Sequence, residues 1–100
     1  MIFLNAIFRA KPGKGDALQA ALGEMTAHVI QNEPGTAGFY VCRDGEDPSR
    51  FITYERFVDR AALEAHNTSA YRDQWVALYG ALIDGDLVRY IGHETAAKHS

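Results

Sequence analysis

Strand-like segments of this chain carry apolar side chains on both of their alternating faces, and this feature constrains the fold most. In the segment 2–10, IFLNAIFRA, one face carries Ile2, Leu4, Ala6 and Phe8. The other face carries Phe3, Asn5 and Ile7. The segments 51–58, FITYERFV, and 87–94, LVRYIGHE, are also apolar on both sides. Because successive side chains of a strand point to opposite faces, a sheet built from these segments needs a cover on each face.

The segment between the first two strands has a helical pattern. Its apolar side chains recur at helical spacing, at Leu18, Leu22, Met25 and Val29. Asp16 can cap the start of this helix with Gln19 reaching back, and Pro34-Gly35 ends it.

The second half of the chain repeats the order of strand and helix. Residues 37–43 form a predicted second strand, and the polar loop 44–49 leads into a third over 51–58. Asp59 caps a short helix that ends at Asn67, and Thr68 or Ser69 starts a helix over 69–83. In that helix the predicted buried stripe is Tyr71, Trp75, Leu78 and Leu82. A turn at Asp84-Gly85 then leads into the last strand, over 87–94.

This β-α-β-β-α-β order predicts an α+β, ferredoxin-like fold with a four-stranded antiparallel sheet. Two helices can cover only one face of such a sheet. The economical cover for the other apolar face is a second copy of the same sheet. We therefore expect a homodimer built face to face, a dimeric α+β barrel, with a single domain over 1–95 and a frayed tail over 96–100.

Composition and charge exclude several classes of function. The chain has 100 residues, of which 47% are hydrophobic and 23% are charged, and its net charge is −3. This balance gives no electrostatic reason to expect nucleic acid or an anionic membrane as a partner. Cys42 is the only cysteine, so we expect a small buried hydrophobe in a reducing compartment. With no leader peptide or membrane-spanning run predicted, the expected location is cytoplasmic.

Several motifs occur in the order and spacing of a known family. They are Asn5 in the first strand, the E-P-G turn, the R-D-x-x-D-P-x-R-F hairpin, the Y-E-x-F strand end, the A-L-E-A-H segment and Trp75. On these residues the chain resembles, over roughly 2–92, the antibiotic biosynthesis monooxygenase domain family of dimeric α+β barrels. Ser69 also matches, but no second histidine follows it at Ala70-Tyr71.

The resemblance implies several activities. The family includes cofactor-free oxygenases of quinols and polyketide phenols, an isomerase, haem-degrading relatives and proteins without known activity. It implies here a cofactor-independent monooxygenase of a small electron-rich aromatic substrate, with dioxygen as co-substrate. Alternatives are a proton-transfer isomerase of a small carbonyl compound and a non-catalytic dimeric barrel that binds a small molecule. Haem degradation is a further alternative, although no histidine follows Trp75 on its helix.

His66 and Glu55 are the first candidates for chemistry. His66 shares a helix face with Ala62 and Leu63, so it is either a buried core histidine or a general base near neutral pKa. Glu55 shares a strand face with apolar residues, where an unpaired carboxylate is costly. It either forms a salt bridge, for example to Arg9, Arg43 or Arg56, or orients a protonated His66.

The remaining candidates are an amide, three aromatic side chains and an arginine. Asn5 interrupts an apolar strand face and either bonds to backbone or, as the resemblance implies, touches substrate or oxygen. Trp75, Tyr71 and Phe39 are ordinary core aromatics or the walls of a substrate cavity. Arg89 could pair with Glu55 or bind an anionic substrate. His28, His93, His99 and Cys42 lack metal-like spacing, so no metal is expected.

Overall fold

The structure is a computed structural model that describes residues 1–99. Its elements in chain order are β1 (Ile2–Ala10), α1 (Gly15–Asn32), β2 (Thr36–Arg43), β3 (Arg50–Phe57), α2 (Arg60–Asn67), α3 (Ala70–Tyr79), a 3₁₀ turn (Gly80–Leu82) and β4 (Ile83–His93). This order confirms the predicted ferredoxin-like α+β fold. The end of the tail that we expect to be frayed, Ser100, lies outside the described residues.

The four strands form one antiparallel sheet in the order β2-β3-β1-β4. Register sorts the side chains into two faces. Ala6 lies opposite Thr53 on β3 and Arg89 on β4, whereas Asn5 lies opposite Tyr54 and Tyr90. Since directly opposed residues share a face, the two sets point to opposite sides of the sheet.

The helices cover the face that contains Ala6 and Thr53. Phe51, Phe57 and Leu18 are fully buried on this side. The rest of the core comes from alternate residues of β1 and from the inner faces of the helices, including Ile2, Leu4, Phe8, Ala21, Leu22, Leu63 and Trp75. Burying one such large side chain contributes about 1.5–3 kcal/mol to folding.

Two of the three predicted helix caps are confirmed. Asp59 accepts a hydrogen bond from the Ala62 amide at 2.8 Å, and Ser69 accepts one from the Arg72 amide at 3.1 Å. The predicted cap by Asp16 is wrong, because α1 begins at Gly15 without a side-chain cap. Asp16 and Gln19 instead accept hydrogen bonds from the Arg43 guanidinium. Asp16 therefore contacts Arg43, which is distant in the sequence, rather than the backbone at the start of its own helix.

The predicted turn at Asp84-Gly85 is also wrong. β4 already begins at Ile83, and the register with β1 shifts between Ile7 and Arg9. Gly85 has a φ of 74°, a conformation that glycine adopts without strain. The Asp84-Gly85 pair therefore marks an irregularity within the strand rather than a turn before it.

Two apolar residues are more exposed than the sequence predicts. Leu78 is 72% exposed, since the inward stripe of α3 advances by four residues from Trp75 to Tyr79, both of which pack in the core. Cys42 is exposed rather than buried. Its strand partner is Ile52, on the face of the sheet that the helices leave open.

The helix-free face is rich in aromatic side chains. Phe3 and Tyr54 stack with their ring centroids 6.2 Å apart, and Tyr40 tilts against Tyr54. Tyr40 and Tyr90 are more than half exposed. In the single chain, the apolar face that was predicted to need a second cover is therefore open.

An ion pair lies at the edge of the helix-free face. Glu94 accepts hydrogen bonds from the Arg56 guanidinium at 2.8 and 2.9 Å and from the Tyr54 hydroxyl. The contacts with Arg56 and Tyr54 lower the pKa of Glu94 to about 2. None of the helices within residues 1–99 is long and apolar enough to cross a membrane.

Candidate active site

A cavity of about 600 Å³ lies between the sheet and the helices. β1, β3 and β4 form its floor, and α1, α2 and α3 contribute to its walls. Most of the lining is apolar, with Leu4, Ala6, Phe8, Leu22, Met25, Phe39, Trp75 and Leu87. Its polar lining consists of Thr53, Glu55, His66, Asn67, Arg72, Asp86 and Arg89. An apolar cavity with a few converging polar groups is the usual form of a small-molecule site.

Strand alternation places Glu55 in this cavity. Alternate residues of β3, from Phe51 to Phe57, are all buried on the helix-covered face. Glu55 is one of them and is only 5% exposed. The Thr53 hydroxyl donates a hydrogen bond of 2.7 Å to Oε2 of Glu55, and Oε1 lies 3.2 Å from Nε2 of His66. Both oxygens of this buried carboxylate therefore have a partner, as burial of a charge requires.

His66 reaches the same cavity from α2. Leu63, one turn earlier, is buried beneath the helix, and His66 itself is 6% exposed. The rings of Phe39 and Phe57 lie 5.7 and 5.5 Å from the imidazole, measured between centroids. These contacts restrict the orientation of the imidazole ring.

Glu33 contacts the other side of the His66 ring. Its Oε1 lies 2.7 Å from Nδ1 of His66 and also accepts a 2.9 Å hydrogen bond from the Thr36 hydroxyl. Glu33 was not among the predicted site residues, although it belongs to the E-P-G turn, one of the motifs on which the family resemblance rests. The structure thus places one imidazole between two carboxylates, Glu33 and Glu55.

These neighbours determine the charge of His66. Burial disfavours the imidazolium, but the hydrogen bonds and charges of Glu55 and Glu33 outweigh burial and raise the pKa of His66. A protonated imidazole donates from both nitrogens and so suits two carboxylate acceptors. The two carboxylates therefore favour the charged form of the buried imidazole.

Three of the four arginines suggested as partners of Glu55 are engaged elsewhere. The fourth, Arg89, lines the cavity but forms no ion pair with Glu55 within residues 1–99. Arg9 pairs with Asp47, and Arg56 pairs with Glu94. Arg43 is bound to Asp16. The partner of Glu55 is His66, because both residues belong to the helix-covered side.

Three other predicted site residues lie at the cavity and two do not. Trp75, Phe39 and Arg89 line it, and the Trp75 indole donates a 2.7 Å hydrogen bond to the Ala21 carbonyl. Tyr71 stacks on His28 with 3.7 Å between ring centroids and is not part of the lining.

Asn5 lies on the opposite face of the sheet. There its amide donates a 3.0 Å hydrogen bond to the Thr53 carbonyl, which agrees with the backbone-bonding alternative for this residue. The Thr53 hydroxyl, on the cavity side, accepts a 3.2 Å hydrogen bond from the Ala6 amide. Thr53 thereby ties the Glu55 carboxylate to the neighbouring strand β1. Within the described chain, no group of three or more His, Cys, Asp or Glu residues is arranged to hold a metal ion.

The model of the antibiotic biosynthesis monooxygenase family matches residues 1–78. The chain belongs to this family. The matched part extends from β1 into α3 and includes Glu33, Glu55 and His66. No curated protein matches the sequence.

Solved structures share the fold along nearly the whole chain. An antibiotic biosynthesis monooxygenase superposes with a TM-score of 0.85 at 24% identity, over 96% of this chain and 100% of that one. The protein PA3566 from Pseudomonas aeruginosa superposes with a TM-score of 0.84 at 25% identity, over 95% and 94% of the two chains. A protein of unknown function from Nitrosomonas europaea, NE2512, has a TM-score of 0.84 at 25% identity, over 99% and 93%.

Proposed function

We propose that this protein is a cofactor-independent monooxygenase that acts on a small electron-rich aromatic compound, a phenol or hydroquinone. The observation that supports this proposal is the buried Glu33–His66–Glu55 arrangement at the wall of an apolar cavity of about 600 Å³. Family membership supports the reaction class. A cavity of this size suits a substrate of a few fused rings or smaller.

In the proposed first step, the Glu55 carboxylate accepts the phenolic proton. Each carboxylate oxygen has two acceptor sites, so Glu55 can receive this proton while Thr53 and His66 keep their contacts. The imidazolium of His66 then stabilises the phenolate by charge. The sequence suggested His66 itself as the base. With carboxylates at both of its nitrogens, we assign the accepting role to Glu55.

In the second step the phenolate passes one electron to dioxygen, and the radical pair forms a carbon–oxygen bond at a ring carbon. Loss of the hydrogen on that carbon and cleavage of the oxygen–oxygen bond give a hydroxyquinone and water. A hydroquinone supplies all four electrons that dioxygen needs, so no external reductant is consumed. The apolar walls limit access of water to the radical pair.

The other predicted residues have supporting roles in this proposal. Trp75 and Phe39 contact the rings of the substrate, and Arg89 binds a ring oxygen or an anionic substituent. Asn5 supports the site from the opposite face through the Thr53 carbonyl. Tyr71 packs against His28 outside the cavity.

We further propose that the working unit is a homodimer in the cytoplasm. The aromatic helix-free face, with Tyr40, Val88 and Tyr90 exposed, fits a second copy of the same sheet. The reducing cytoplasm suits a chain with one cysteine, Cys42.

Oxygen consumption with a hydroquinone tests the proposed activity. Glu55→Gln and His66→Ala are expected to lower kcat/KM by roughly 10²- to 10⁴-fold, the usual range for a lost acid–base group. Glu64→Gln removes an exposed carboxylate from the helix that carries His66 and should leave the rate unchanged. Oxygen uptake by His66→Ala at the parent rate would rule out this mechanism.

A second candidate is a proton-transfer isomerase of a small carbonyl compound. The proximity of a carboxylate and an imidazolium, 3.2 Å apart in one cavity, favours it because an isomerase needs both a base and an acid. Turnover under anaerobic conditions would identify an isomerase. A non-catalytic barrel would show only a ligand-dependent rise in melting temperature without any product.

A further inference from the structure

Glu33 contacts His66 from outside the cavity. It follows the end of α1 and precedes Pro34, and its side chain is 14% exposed. Among the described residues, the cavity lining includes Glu55 and His66 but not Glu33. Glu33 can therefore reach a bound substrate only through the imidazole.

Several contacts fix Glu33 in place. The Thr36 hydroxyl donates to its Oε1 at 2.9 Å, and the backbone amide of Glu33 is bonded to the Val29 carbonyl. The ring of His28 on α1 lies on the other side, with its Nε2 4.0 Å from Oε2 of Glu33. The carboxylate that contacts His66 is thus held by contacts on both sides of the E-P-G turn.

A carboxylate at Nδ1 has two effects on the imidazole. It accepts a hydrogen bond from the Nδ1–H group, which orients Nε2 toward Glu55, and it favours the charged form of the ring. With Glu55 alone, the imidazole could be neutral and donate only from Nε2. With Glu33 as well, both ring nitrogens face a carboxylate. A neutral ring has a proton on only one nitrogen, so the other nitrogen would face a carboxylate oxygen with no proton to donate.

We propose that Glu33 is a positioning residue that keeps His66 protonated and directed at Glu55, without touching the substrate. This inference rests on the proposed function for its catalytic consequence. The charge of His66 can be measured without any substrate.

Other charged groups face the same region. Arg72 on α3 and Asp86 and Arg89 on β4 line the cavity, and His28 faces Glu33 from α1. Within residues 1–99, Glu33 and Glu55 are the carboxylates that pair with the His66 ring. The charge of His66 therefore depends chiefly on Glu33 and Glu55.

The first measurement is the titration of His66 by NMR in the parent protein, Glu33→Gln and Glu64→Gln, with His66→Gln used to identify its signal. Glutamine keeps the size of Glu33 and an acceptor oxygen for the Thr36 hydroxyl but removes the charge. The pKa of His66 is expected to fall in Glu33→Gln and to match the parent in Glu64→Gln. Equal values in all three proteins would overturn the proposal, whether or not the protein has oxygenase activity.

The second measurement is the pH dependence of kcat/KM with a hydroquinone. In Glu33→Gln, kcat/KM should fall roughly tenfold or more at alkaline pH and approach the parent value as the pH is lowered and His66 becomes protonated in both proteins. A reduction that is the same at every pH would mean a merely structural role and would also overturn the proposal. If the parent turns over no hydroquinone, the proposed function fails, and the NMR comparison still tests the inference about Glu33.

Discussion

At His66 the protein flanks a buried imidazole with two carboxylates, Glu33 and Glu55, which favour its charged form. Removing a charge from water costs several kcal/mol in a protein interior, and close opposite charges offset this only with good geometry. The distances of 2.7 Å to Glu33 and 3.2 Å to Glu55 provide such geometry. Removal of any one of the side chains of Glu33, His66 and Glu55 should therefore affect the other two.

The pH dependence of stability should reveal this charge. Because the pKa of His66 is raised in the folded protein, protonation of His66 stabilises the fold fully below its ordinary pKa of 6.5. That contribution is lost as pH rises through the higher folded-state pKa. Between pH 6 and 9, the parent should therefore lose melting temperature faster than His66→Gln, as measured by circular dichroism. An equal fall of melting temperature with pH in both proteins across this range would contradict the raised pKa of His66.

At the scale of elements, α2 depends on its ends and its neighbours. An isolated helix of eight residues is not stable in water, yet α2 must hold His66 over the sheet. It does so with the Asp59 cap at its start and with Leu63 buried beneath it. His66 is thus positioned by a short element whose stability is mostly tertiary.

Removal of the Asp59 cap should therefore destabilise the protein. Asp59→Ala is expected to lower the free energy of unfolding by about 1 kcal/mol, with a range of about 0.5–2. Asp59→Asn retains a capping oxygen and should cost much less. Urea denaturation of the three proteins measures the difference, and equal losses for both variants would show that the cap is not the cause.

The packing of α1 against the sheet gives a larger effect. Leu18 is fully buried on α1, whereas Leu78 on α3 is 72% exposed. Leu18→Ala is expected to cost about 2–5 kcal/mol because it leaves a cavity in the core. Leu78→Ala should stay within about 0.5 kcal/mol of the parent. Chemical denaturation checks both values, and a small loss for Leu18→Ala would mean that its site relaxes to fill the space.

At the scale of the whole molecule, the sheet has one face covered by helices and one face that residues 1–99 leave uncovered. The helix-free face exposes Tyr40 on β2 and Val88 and Tyr90 on β4, the two edge strands of the sheet. An apolar surface of this kind is typical of an interface. The proposed homodimer would bury it.

Charge on that face should break the dimer. Val88→Asp places a carboxylate on the face proposed as the interface, where it would be buried without a partner. We expect the variant to elute as a monomer in size-exclusion chromatography with light scattering, while the parent elutes as a dimer. Ile30→Asp changes a side chain on α1 that is 79% exposed and should leave the dimer intact. A dimeric Val88→Asp would place the interface elsewhere.

Much of the fold could be predicted because its signals are local. Alternation in the strands placed Glu55 on the same face as Phe51, and the predicted caps at Asp59 and Ser69 were correct. The predicted cap at Asp16 failed because α1 begins one residue earlier, at Gly15, which places Asp16 inside the first turn, where it pairs with Arg43. The start of β4 was missed because Asp84-Gly85 has turn-like composition and yet lies within the strand.

The candidate site was predictable only in part. The sequence brought forward His66, Glu55, Trp75, Phe39 and Arg89, which meet at one cavity. Asn5 and Tyr71 do not line it. Asn5 lies on the opposite face because its strand position is one residue out of phase with Ala6, which lines the cavity. The side chain of Glu33 had no signal of its own, since a carboxylate before Pro34 is ordinary at the end of a helix.

The sequence by itself determined the order of the elements, the faces of the strands and the need for a cover on each face of the sheet. These properties follow from the periodicity of side chains and from local capping. Only the tertiary structure decided that Glu33, at the end of α1, contacts one nitrogen of His66 on α2 and that Glu55 on β3 contacts the other. The physical reason is that contacts between residues 33 positions apart depend on how helices pack on a sheet, which local patterns do not encode.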